Sequence, residues 1–143
     1  MELVVPISIM AFLNIFSTYR LLFLASKYLK IKEIKYSQFR LNEGEFPDHL
    51  WSARYQFQNM FELPVLFYLI CLLQINLNIY GRIDIYLAWG FVFFRLIHFI
   101  IRLKNQRDLN IKPRTLAFIF SLICLTFSWI SFFINYLKSL LLT

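Results

Sequence analysis

The chain has 143 residues, of which 59% are hydrophobic and 20% aromatic, and its mean hydropathy is +0.60. This composition excludes an ordinary soluble domain, and the length suffices for four membrane-spanning helices of about 20 residues each. The net charge of +7 does not indicate nucleic-acid binding, because the basic residues cluster in short segments between apolar runs and no nucleic-acid motif accompanies them.

Four apolar segments follow one another along the chain and predict an all-α integral membrane protein, a four-helix bundle that forms one domain over residues 1–143. The fourth segment begins at Pro113, and proline is favoured in the first turn of a helix. No CxxC motif or cluster of histidine and cysteine is present, so we expect no metal site. The predicted helices span about 3–29, 51–77, 85–103 and 113–137.

Two polar loops, about 30–50 and 104–112, hold seven of the fifteen basic residues. Lys27, Arg102 and Arg114 lie at their edges, whereas the connection at 78–84 has only Arg82. Cytoplasmic loops of membrane proteins carry an excess of lysine and arginine. We therefore expect loops 30–50 and 104–112 to be cytoplasmic and both termini to lie on the opposite side.

The beginning of the second span carries polar side chains that lipid disfavours, by about 2.5 kcal/mol or more for a charge at the bilayer centre. These are Arg54, Gln58, Asn59 and Glu62. Asn59 and Glu62 are three residues apart, and Gln58 and Glu62 are four apart, so they share one helix face. Pro64 predicts a kink that either opens the helix beside Glu62 or serves packing alone.

The third span carries Arg95, His98 and Arg102 on one face. Arg95 stays charged and must meet a partner or a wet cavity. Glu62 is the carboxylate at comparable depth, so we expect a Glu62–Arg95 pair, within one chain or between chains, that is either functional or a polar lock of helix register. His98 either exchanges a proton near neutral pH or packs as a hydrogen-bonded histidine.

Arginines also gather at the loop ends of the later spans. Arg54, Arg102, Arg107 and Arg114 form an anion site if the helices converge, because guanidinium groups suit carboxylates and phosphates. The alternative is that they anchor a basic loop at the membrane surface.

Two runs resemble the MAPEG family, the membrane-associated proteins of eicosanoid and glutathione metabolism. Residues 59–68 read Asn-Met-Phe-Glu-Leu-Pro-Val-Leu-Phe-Tyr, and residues 88–98 read Ala-Trp-Gly-Phe-Val-Phe-Phe-Arg-Leu-Ile-His. With Pro47-Asp48 before the second span, the chain is most similar to the little-characterised bacterial branch. The resemblance implies a homotrimer of four-helix subunits in a bacterial inner membrane.

The resemblance also implies glutathione as a substrate, bound between neighbouring subunits. Arg114 matches the arginine thought to stabilise the glutathione thiolate, with Arg107 as the alternative because the loop length does not fix the alignment. The polar pair of Glu62 and Arg95, expected from their depth, would lie beside this site, and Arg95 and His98 match an Arg-x-x-(His/Tyr) pattern of the family. The implied glutathione-binding residues are Arg54, Gln58, Asn59, Glu62, His98 and Arg102.

The implied function is a membrane-embedded glutathione-dependent transferase or peroxidase that acts on lipophilic electrophiles entering from the bilayer. One departure is Arg102, which stands where the well-known synthases of the family have a tyrosine. A non-catalytic, lipid- or partner-binding protein of the same fold is therefore the alternative. An unrelated transporter that couples through Glu62 and Arg95 is a third hypothesis, but its charges would lie at mid-membrane alone.

Overall fold

The structure, a computed structural model, describes residues 2–41, 46–104 and 112–141. The described residues form helices and connecting turns without any strand, which confirms the all-α prediction. Four of the five helices are long and apolar enough to cross a membrane. The helices are α1 (Val4–Lys30), α2 (Tyr36–Leu41), α3 (Asp48–Asn76), α4 (Arg82–Lys104) and α5 (Lys112–Leu141).

Helices α3 and α4 begin three residues before their predicted starts, at Asp48 and Arg82, because local polar contacts extend their first turns. The carbonyl of Pro47 accepts the backbone N–H groups of Leu50 and Trp51, at 2.8 and 3.0 Å. At α4, the backbone N–H of Gly81 donates to the Asp84 carboxylate at 2.7 Å. Such caps satisfy donors that the helix leaves open, so polar residues outside the apolar run join the helix.

The long helices alternate in direction, as contacts between successive pairs show. Arg20 of α1 contacts Gln56 of α3. Asn14, six residues earlier in α1, contacts Tyr68, twelve residues later in α3, so the two helices run in opposite directions. Phe67 of α3 stacks on Phe91 of α4, with ring centroids 4.4 Å apart. The most extensive packing is within two pairs, α1 with α3 and α4 with α5. The bundle therefore consists of two closely packed pairs, and α3 of the first pair packs against both α4 and α5 of the second. The contact between α3 and α4 is here called the α3–α4 seam.

Buried hydrogen bonds fix this seam at both of its ends. The Gln56 side chain accepts from Arg20 and donates to the backbone carbonyl of Phe99, at 3.4 Å for the latter. Near the other end, the Gln74 amide donates to the buried Asp84 carboxylate at 3.2 Å. Hydrogen bonds between membrane helices contribute on the order of 1 kcal/mol each, so these two contacts hold α3 and α4 in register.

Candidate functional site

A cavity of about 160 Å³ lies where α3, α4 and α5 meet. Its walls are Asn59 of α3, His98 of α4, and Arg114, Thr115 and Phe118 of α5. The structure thus brings together three predicted site residues: an amide, an imidazole and a guanidinium from three helices. This cavity is the candidate site.

The antiparallel packing of α4 and α5 explains why these residues meet. The last turns of α4 lie beside the first turns of α5, which places His98 next to a residue in the second turn of α5, Phe118 (ring centroids 6.3 Å apart). Arg114 follows Pro113 in the first turn of α5 and is partly exposed, whereas His98 is buried. The site therefore has a buried imidazole wall and a partly accessible guanidinium at one side.

Arg95 lies next to this cavity and is fully buried, with 0% of its surface exposed. Its guanidinium carbon is 5.6 Å from the ring centre of Phe91 and 5.4 Å from that of Phe118, a wall residue. None of its three guanidinium nitrogens has a hydrogen-bond partner among the described residues. Aromatic faces attract cations, so two rings hold a positive charge beside the cavity.

The predicted Glu62–Arg95 pair does not form as a direct hydrogen bond within one chain. Glu62 is exposed, because it points away from the bundle on the side of α3 opposite the buried Met60 and Pro64. Pairing between chains stays a prediction, as does the kink at Pro64, through which α3 runs without interruption.

Two further predicted arginines pack on aromatic rings outside the cavity walls. The Arg54 guanidinium carbon is 5.2 Å from the ring centre of Phe46 and 5.7 Å from that of Trp51. The Arg102 guanidinium carbon is 5.6 Å from the ring centre of Tyr55. Both arginines lie nearer the loop end of the bundle than the cavity does, so the structure does not gather all predicted arginines at one point.

The remaining predicted ligand-binding residues lie apart from the cavity or outside the described residues. Gln58 is exposed on the same side of α3 as Glu62. Arg107 falls in 105–111, outside the described residues. The roles assigned to Gln58, Glu62, Arg54, Arg102 and Arg107 stay predictions.

Sequence reasoning missed two wall residues, Thr115 and Phe118. The signal was the spacing, since Arg114 and Phe118 are four residues apart and thus neighbours on one helix face. The apolar surroundings hid this signal, because one phenylalanine among many on α5 has no distinguishing feature in the sequence.

The arrangement can bind an anionic group and stabilise its charge. Arg114 offers a guanidinium to the cavity, and Arg95 adds a second positive charge behind the Phe118 ring. Charge-assisted hydrogen bonds from arginine are stronger than those between neutral groups. Pockets that enclose a whole drug-sized ligand measure about 300 Å³ or more, so this cavity fits only part of such a ligand.

Comparison with known families identifies the fold. The family model described as "MAPEG family" matches residues 3–134. Searches among curated proteins and among solved structures gave no match. The match covers three of the four membrane-competent helices in full, most of the fourth, and every residue of the candidate site. The chain therefore belongs to the MAPEG family and is a multi-pass integral membrane protein.

Proposed function

We propose that the protein is a glutathione-dependent transferase or peroxidase, embedded in the membrane, that acts on lipophilic electrophiles. The observation that carries the proposal is the convergence of Asn59, His98 and Arg114 from three helices on one cavity, with Arg95 beside it. Family membership supports a role in glutathione or eicosanoid metabolism.

The two arginines give the cavity its chemistry. A cation beside a thiol lowers the thiol pKa and raises the thiolate fraction. Arg114 would donate a hydrogen bond to the glutathione sulfur, and the enclosed charge of Arg95 would add to the positive potential. In the transfer reaction the thiol proton leaves to solvent and the thiolate sulfur forms a bond to the electrophilic carbon. The leaving group then departs with the electron pair of its own bond.

The size of the cavity implies that most of the tripeptide lies outside it. Asn59 would hold the peptide at the cavity mouth, and Glu62, exposed one turn further along α3, would accept the glutathione amino group. Arg54 and Arg102, nearer the loop end of the bundle, would bind the carboxylates. Bound in this way, glutathione would lie along the outer side of α3.

The outer side of α3 must be shielded from lipid, because exposing Glu62 and Gln58 to the bilayer costs free energy. The exposed residues of α3 recur at alternating spacings of three and four, the spacing by which helices of separate chains pack. This stripe supports the proposed homotrimer, in which a second copy covers the bound glutathione. The stripe consists of Tyr55, Gln58, Glu62, Val65, Leu69, Leu72 and Asn76.

A non-catalytic lipid- or partner-binding role is the second candidate function. The observation that favours it is Arg102, which packs on the ring of Tyr55 and is not a wall of the cavity. The tyrosine that the resemblance to the well-known synthases implies at this position is thus replaced by a side chain with a different contact.

The proposal is tested with the purified full chain by glutathione calorimetry and by conjugation of a generic chloronitrobenzene. We expect Arg114→Ala to lower kcat by about tenfold or more, because the thiolate loses a charge-assisted hydrogen bond, and to change the glutathione Kd by less than about threefold. Lys112→Ala is the matched control, since it removes an exposed cation from the same helix turn.

The possible outcomes separate the two candidate functions. Absence of binding at millimolar glutathione would overturn the proposal. Binding without turnover of any electrophile or peroxide would favour the non-catalytic role. Equal losses in binding and in kcat for Arg114→Ala would show that Arg114 holds the peptide and does not act on the sulfur.

A further inference from the structure

A second cavity, of about 470 Å³, lies at the opposite end of the bundle, where α1 and α4 begin. It is separate from the candidate site, which lies where α4 ends and α5 begins. Its lining combines two opposite charges, two aromatic rings and two aliphatic side chains. The residues are Glu2, Arg82, Tyr86, Trp89, Val5 and Ile85.

The two charged residues of this cavity do not neutralise each other. Glu2 and Arg82 are both exposed, and no ion pair joins them in the described part of the chain. A carboxylate and a guanidinium that share one cavity without contact are arranged for a ligand that carries both charges. A bound zwitterion would place its anion on Arg82 and its cation on Glu2.

The aromatic residues set the depth of the cavity in the membrane. Tyr86 is 73% exposed and Trp89 is 42% exposed on the outer side of α4. Tyrosine and tryptophan are enriched at the level of lipid headgroups, where one end of the ring meets lipid and the polar end meets water. The cavity therefore lies at headgroup depth.

Another cavity, which is apolar, lies further along the same face of α1, and this face is here called the groove. A cavity of about 530 Å³ runs beside α1, and its lining includes Ile9, Phe12, Phe16 and Tyr19. With Glu2 and Val5, these residues are spaced alternately by three and four and share one face of the helix. Leu3 has helical dihedral angles (φ −79°, ψ −18°), so Glu2 continues this face.

The groove is long enough for an acyl chain. From Val5 to Tyr19 it extends about 21 Å along the helix, which exceeds the roughly 15 Å of hydrocarbon in one leaflet. The Phe16 ring also contacts the Phe99 ring of α4, with centroids 5.8 Å apart, so this part of the α1 face lies next to α4. The charged residues at the end of the groove match a phospholipid headgroup, and its apolar length matches an acyl chain.

We propose that this groove binds one phospholipid with a primary-ammonium headgroup. Arg82 pairs with the phosphodiester, Glu2 accepts hydrogen bonds from the ammonium, and one acyl chain lies along the α1 face from Val5 to Tyr19. A choline headgroup is bound less well, because its trimethylammonium has no N–H to donate to the carboxylate. This inference does not depend on the proposed catalytic function.

The test is lipid retention by the full chain, measured by native mass spectrometry after exchange into equal amounts of phosphatidylethanolamine and phosphatidylcholine. Because a charge-assisted hydrogen bond distinguishes the two, we expect a preference of about tenfold for phosphatidylethanolamine. Glu2→Gln should reduce this ratio to about one, and Arg82→Gln should weaken retention of both lipids. Glu33→Gln and Lys138→Gln, at exposed positions outside the groove, should leave the ratio unchanged.

A second measurement locates the lipid without changing the groove. In a chain with Trp51→Phe and Trp129→Phe, Trp89 is the remaining tryptophan, and brominated phosphatidylethanolamine should quench it more strongly than brominated phosphatidylcholine. Equal retention of both lipids by the unaltered chain would overturn the proposal. So would a preference that persists in Glu2→Gln, or loss of subunit association in that variant, which would assign the groove to a second copy.

Discussion

At the scale of single residues, Arg95 shows how a charge can be kept inside a membrane bundle without a hydrogen bond to the described residues. Its guanidinium is enclosed, with Phe91 and Phe118 within 6 Å of it. Arginine tolerates this arrangement better than lysine, because its charge is delocalised, weakly hydrated and able to stack on rings. The result is a fixed positive charge next to the candidate site.

We predict that Arg95→Met shifts the pH dependence of conjugation. The Arg95 charge favours the glutathione thiolate, so its removal raises the thiol pKa, and the ascending limb of the kcat/KM profile should move up by about one pH unit. Methionine fills a similar apolar volume. Lys138→Met, which removes a distant cation, is the control, and an unchanged profile in Arg95→Met would contradict an electrostatic role.

The sequence predicted part of the candidate site, for a reason visible in α3. Spacing fixes which polar residues share a helix face, and it selected Asn59 and His98, while the family resemblance selected Arg114; all three meet at the cavity. Spacing does not decide whether a face turns inward or outward. Glu62 was expected to pair with Arg95 within one chain or between chains; within one chain it lies outside, because the buried Met60 and Pro64 occupy the inner side, and pairing between chains stays a prediction.

At the scale of helices, apolar runs predicted the four long helices. They did not predict where the helices begin or which polar residues connect them. Hydropathy responds to long apolar stretches, so the short α2 and the capped beginnings of α3 and α4 were missed. Gln56, Gln74 and Asp84 were also missed as helix contacts. Each is a polar residue whose partner lies on another helix, and sequence spacing within one helix carries no information about that partner.

The contact between α4 and α5 depends on a small residue. A Cβ at Gly90 would lie 3.0 Å from the sulfur of Cys124, so alanine there would press on α5. We predict that Gly90→Ala lowers the free energy of unfolding by about 1 kcal/mol, the net of overpacking and of better helix propensity. The measurement is unfolding by SDS in mixed micelles.

A double-mutant cycle provides the control for this prediction. Cys124→Ala should restore the stability of Gly90→Ala, because it removes the atom that the new methyl group meets. Gly81→Ala should show no such coupling, since its Cβ would lie 3.9 Å from the nearest atom, an ordinary contact distance. A Gly90→Ala variant that is more stable by itself would show that the Cys124 side chain turns away freely.

At the scale of the whole molecule, the polar residues fall into two distinct places. One set, including Asn59, Arg95 and His98, lies inside the bundle, and the other, Gln58 and Glu62, lies on its outer surface. Packing within one chain accounts for the internal set. The outer set is favourable in lipid only where another molecule covers it. The candidate site is thus half internal and half an expected contact between subunits.

We predict that the exposed stripe of α3 joins the subunits. In a background with Cys71→Ala and Cys124→Ala, Leu69→Cys should form disulfide-linked species between chains under mild oxidation, because equivalent residues of α3 approach each other near a common axis. Ile119→Cys, equally exposed on α5, should not cross-link. Linking at residue 119 but not at 69, or a clean monomer with bifunctional reagents in mild detergent, would contradict the homotrimer.

The position of α5 in the chain has a consequence for how the protein is made. Three of the five walls of the candidate site, Arg114, Thr115 and Phe118, belong to α5, which leaves the ribosome after the other three long helices described. Until that helix is inserted, Arg95 lacks the Phe118 ring and His98 has no neighbour from α5. The cavity is therefore complete only once α5 is inserted, and a nascent chain that stops before α5 exposes these polar groups to lipid and to the quality-control machinery of the membrane.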